Sequence, residues 1–68
     1  MDRNTSMFTH EELRLLESLA EGLPPDVIAR RLNTSGRTLR RRTRSICDRI
    51  GVGTPIEAVV WAARRRII

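Results

Sequence analysis

The sequence predicts an all-α fold of four short helices, and three observations carry that prediction. Apolar residues recur at helical spacing in four separate runs, each run opens on residues suited to a helix start, and the gaps between runs hold Gly, Asn or Pro. At 68 residues there is room for a single domain. Forty per cent of the residues are apolar and three per cent aromatic, so the core is built from Leu, Ile, Val and Ala.

Helix 1 is announced by Thr9 and Glu12, which form a capping box, with Phe8 placed as the hydrophobic staple before it. Leu15, Leu16, Leu19 and Ala20 share one helical face with Leu13 at its edge, and Gly22 stops the run. The helix is expected from about Thr9 to Glu21. Pro24 and Pro25 open helix 2, because amides of a first turn have no intrahelical acceptor, and Val27, Ile28 and Leu32 make its apolar stripe. It is expected to run from Pro25 to about Leu32. Asn33 tolerates the left-handed conformation that a tight turn needs, and either Thr34 or Ser35 can cap helix 3, which extends to about Ile50. Helix 4 follows "GVG", with Thr54 as cap, Pro55 in the first position and Glu57 in the third. It is expected from Pro55 to about Arg66, with Ile56, Val59, Val60, Ala63 and Ile67 packed on the domain and Ala58, Trp61 and Ala62 projecting elsewhere. Residues 1–7 are expected to be a flexible N-terminal segment and 8–68 the domain.

Charge divides the chain sharply. From Met1 to Ala29 two arginines face six carboxylates, whereas from Arg30 to Ile68 eleven arginines face two. The basic half is the half an anionic partner would meet. Its densest stretch, "RTLRRRTRS" at positions 37–45, holds five arginines in nine residues, although like charges at this spacing weaken a helix. On helix 3, Leu39, Ile46 and Ile50 share one face with Thr43, while Arg37, Arg40, Arg41 and Arg44 share the opposite face. A helix, a short turn and a second helix carrying outward arginines is the pattern of a helix-turn-helix DNA reader.

Other classes fare poorly. The lone Cys47 excludes an intramolecular disulfide and reads as a small apolar filler at the edge of the core. His10 has no second His or Cys nearby to make a metal site, and Glu12 is explained by capping. With one His, one Cys and no Gly-rich phosphate loop, the chain is not expected to be an enzyme, nor to hold a cofactor, a metal or a small-molecule ligand. The longest uncharged apolar run, Ala58 to Ala63, is too short to cross a bilayer, and the N-terminus lacks a signal-peptide core. A soluble cytoplasmic protein, at the bacterial nucleoid, is expected.

From Phe8 to Ile68 the chain resembles the LuxR-type (GerE-like) C-terminal helix-turn-helix domain of bacterial transcription regulators. The resemblance rests on the combination of "FTHEE", "LLESLAEGLPPDVIARRL", "SGRTLRRRTRSICDRIGV" and "EAVVWA". It implies that helix 3 enters the major groove of double-stranded DNA. By position Arg40, Arg41 and Arg44 match base-reading residues of the family, and Ser35, Arg37, Thr38 and Arg42 match places near the phosphate backbone. It also implies a homodimer on an inverted repeat through helix 4, with Ala58, Trp61, Ala62 and Arg65 at the interface, and RNA polymerase as a further partner. Domains of this type usually follow a sensory or receiver domain as the output of a response regulator. Asn33 stands where the family usually has Gly, and Thr34 and Thr43 where it has apolar residues, so the turn and the back of helix 3 are expected to pack less firmly. Two alternatives stay open: a protein-interaction adaptor of the same fold with weak or lost DNA binding, and a sigma-factor-like promoter reader.

Overall fold

Three of the four helices start where a side chain accepts from their orphan amides, and the second opens instead on Pro24 and Pro25 with no side-chain cap. The computed structural model describes residues 7–68, and the expectation of a flexible segment at residues 1–7 lies outside them but for Met7. Within the described residues the chain forms α1 (His10–Ala20), α2 (Pro25–Arg31), α3 (Gly36–Ile50) and α4 (Pro55–Arg64), with no strand. In α1 the capping box is complete: Glu12 N–H donates to Thr9 Oγ1 (3.1 Å) and Thr9 N–H to Glu12 Oε1 (2.9 Å). Ser35, not Thr34, caps α3 by accepting from Thr38 N–H, and Thr54 caps α4 by accepting from Glu57 N–H.

The four helices end on one device. Gly22, Asn33, Gly51 and Arg66 all have positive φ, between 57° and 79°, and the residue after each of the first three, like Ile67 after Arg66, returns its N–H to a carbonyl of the preceding turn. Asn33 therefore performs the turn that glycine serves elsewhere. Thr43 is likewise satisfied, because its hydroxyl donates to Leu39 O at 2.8 Å.

Leu15 and Leu16 of α1, Ile28 of α2 and Ile46 of α3 are almost completely buried. Each such side chain contributes about 1.5–3 kcal/mol relative to exposure. Leu39, Ala29, Cys47, Phe8, Ala58, Ala62 and Ile67 complete the core. The helix 1 and helix 3 faces are those expected, except that Ala20 is exposed and Ser18 is buried, its hydroxyl donating to Arg14 O.

Helix 4 departs from expectation in length and in rotation. It stops at Arg64, since Arg66 turns left-handed and folds Ile67 back onto the core. Ala58 and Ala62 face inward at 1% and 0% exposure, whereas Ile56 (65%) and Val60 (43%) face outward. Val59 and Trp61 are half-buried and Ala63 is exposed. Size explains the reversal. Two alanines one turn apart let α4 lie close against α1 and α3, and the bulkier β-branched residues are left outside. Ala58 and Ala62 are thus corrected from interface to core, while Trp61 and Arg65 keep a partial outward position.

Candidate nucleic-acid interface

Six arginines project from α3, and the structure sorts them by angle. At 100° per residue Arg37, Arg40, Arg41 and Arg44 fall within an arc of about 100°, with Arg42 and Arg49 well outside it. Those two meet the carboxylates of α1. Arg49 donates twice to Glu12, at 2.9 and 2.7 Å, and once to the Met7 carbonyl at 2.7 Å. Arg42 reaches Glu11 at 3.4 Å. The Arg49 guanidinium holds the Glu12 carboxyl below its ordinary pKa, more than offsetting the opposing effect of burial, and the Arg49 pKa is raised in return.

The outward four have no ion-pair partner among the described residues, and all are exposed. Arg40 leans over the first turn, where a Cβ on Gly36 would stand 3.9 Å from its Nη1. Ser35 and Thr38 at that end are occupied with each other, Ser35 Oγ donating to Thr38 Oγ1 at 3.0 Å. Beyond Arg44, Asp48 lies on the same face with the opposite sign and closes the cationic stripe. An open groove of about 810 Å³ runs along α3 over Leu19, Leu39, Cys47 and Val52, with Arg40, Arg41, Arg44 and Asp48 lining its α3 side, so that α3 stands as a ridge along it. Burial raises the Cys47 thiol pKa, which suits its place in the groove floor as a packed, un-ionised side chain.

Of the expected backbone-contacting residues, Arg37 and the pair Ser35 and Thr38 lie at the N-terminal turn of α3, beside Arg40. Arg42 is separated from the stripe and engaged by Glu11. Sequence reasoning missed that pairing, which joins residues 31 apart on two helices, and also the position of Asp48, which does follow from turning the helix through 100° per residue. The second arginine cluster, Arg64 to Arg66, sits at the end of α4, where Arg65 stacks on Trp61 (3.9 Å) and the Trp61 ring meets Phe8 edge-on at 6.2 Å. A second groove, of about 400 Å³, lies on the outer side of α4 between Val52, Ile56, Val60 and Trp61.

A helix, a turn through Asn33 and a ridge-like second helix with an unpaired cationic face define a helix-turn-helix domain. The chain is 35% identical over 66 residues to the transcriptional regulatory protein YdfI of Bacillus subtilis, covering 97% of this chain and 31% of that protein. It is 30% identical over 66 residues to the nitrate/nitrite response regulator protein NarL of Escherichia coli, again 97% of this chain and 31% of the relative. The matched stretch is a LuxR-type helix-turn-helix domain, and this chain is one of that type. It spans about a third of the length of the curated relatives it matches. Those relatives are named as regulators, a non-enzymatic class. No family model and no solved structure matches the chain. Among the described residues no helix is long and apolar enough to cross a membrane.

Proposed function

We propose that this chain binds double-stranded DNA in the regulation of transcription, with α3 in the major groove. One observation carries the reading: the inward arginines of α3 are neutralised by α1, while the four outward ones are left charged, exposed and mutually repelling on a ridge. A polyanion relieves that repulsion and releases its own counterions. The similarity to named transcription regulators supports the same reading.

The dimer belongs to this proposal with altered residues. Ile56 and Val60 are exposed apolar side chains one turn apart on α4, with Trp61 and Arg65 beside them. A two-fold axis across that face makes it self-complementary, and such a pair of chains requires two half-sites in inverted order. The test is DNA affinity measured from 50 to 300 mM salt. Affinity should fall linearly on a log-log scale with a slope of about −0.9 per phosphate neutralised. A flat profile sinks the reading in favour of a protein-binding adaptor. Val60→Asp should lower the stoichiometry from two chains per duplex to one.

A further inference from the structure

We propose that α3 selects guanine, so that each half-site is a G·C-rich window of about four base pairs read by Arg40, Arg41 and Arg44. The inference rests on the reading of α3 as a major-groove helix and adds what that helix recognises. The stripe from Arg37 to Arg44 spans eight residues and hence seven rises, about 10.5 Å of helix axis, which matches roughly three steps of 3.4 Å along a DNA strand. Asp48, about 6 Å further along the axis on the same face, is an exposed carboxylate that would repel a phosphate approaching beyond the stripe. It sets the far edge of the window.

The chemistry of the stripe favours one base. A guanidinium matches the O6 and N7 acceptors of guanine in two parallel hydrogen bonds, whereas adenine is met by Asn or Gln, and α3 contains neither. All three central side chains are of the guanine-matching type. The structure also shows that they are available, because α1 draws off Arg42 and Arg49 and leaves these three with no carboxylate partner among the described residues.

Selection of bound duplexes from a random 20-base-pair pool gives the site, and synthetic duplexes then test it base by base. Replacing each guanine of the window with 7-deazaguanine removes N7 and leaves pairing intact. Each such change should weaken binding about tenfold, within the roughly 5- to 140-fold expected of a bidentate contact. Inosine, which keeps O6 and N7 but lacks the minor-groove amino group, should leave affinity within about threefold. Arg44→Ala should lose base preference at one position while the others persist. An enriched site that tolerates 7-deazaguanine, or that lacks guanine, overturns this inference and leaves DNA binding standing. Failure to retain any duplex at low salt overturns both.

Discussion

The two sides of α3 carry the same residue type to opposite ends. On the side facing α1, Arg42 and Arg49 are bonded to Glu11 and Glu12, and Arg49 also holds the Met7 carbonyl. On the outward side four arginines repel one another at i, i+3 and i+4 spacings. At about 0.2–0.5 kcal/mol per like-charged pair, that repulsion costs on the order of 1–2 kcal/mol. The difference teaches that an arginine's role here is set by its angle on the helix relative to an acidic neighbour. Composition alone says nothing of it.

Substitutions on the two sides should therefore fail in different assays. The largest effect is expected for Arg41→Ala with Arg44→Ala, which should cost about 100-fold in affinity for the selected duplex, on the order of 3 kcal/mol. Thermal stability should not fall and should rise by up to about 1 kcal/mol, because these side chains are exposed and three of the four like-charged pairs disappear with them. Equal losses of stability and affinity would erase the distinction between the two sides. Arg49→Ala should do the converse. It removes charge-assisted hydrogen bonds to Glu12 and Met7 and should destabilise by about 1–2 kcal/mol, a fall of roughly 5–15 °C in melting temperature. Affinity of the folded protein should be nearly unchanged in an anisotropy titration.

Acid should act on the inner side alone. Glu12 titrates below its ordinary value of 4.5 when folded, chiefly because Arg49 donates to its carboxylate. In the window beneath 4.5 the unfolded chain thus binds more protons than the folded one, and stability drops as pH falls through it. Denaturant midpoints measured from pH 7 to pH 2 should show wild type losing its advantage over Glu12→Gln in that window. Two parallel curves would remove the Arg49 contact from the account. The smallest effect is Gly36→Ala, which should stabilise by about 0.5–1 kcal/mol. The φ at Gly36 is not positive, and the nearest atom to an added Cβ is 3.9 Å away. Calorimetry reads the gain, and a drop in affinity would show that Arg40 uses the gap.

Much of this was legible before any coordinates. Thr9, Thr54 and the pair Thr34 and Ser35, of which Ser35 is the cap, marked three helix starts, and the period of α3 separated Leu39 and Ile46 from the arginine stripe. Helix 4 was misread because nearly every position from Ile56 to Ala63 is apolar. With no polar face to orient it, periodicity favoured the bulky residues, while packing favoured the small ones, Ala58 and Ala62. The end at Arg64 was hidden for a related reason: Arg66 takes a conformation usually left to Gly or Asn. Long-range pairs such as Arg49 with Glu12, 37 residues apart, had no local signal at all.

The hold of Arg49 on the Met7 carbonyl fixes where the preceding chain enters the domain. Arg49 lies only about 7.5 Å along the axis from Arg44 but about 140° around it, on the side of α3 that faces α1 and away from the stripe. A tether, dye or fused domain joined ahead of Met7 would therefore emerge well clear of the bases, so the N-terminus is the natural handle for immobilising this protein without masking its recognition surface.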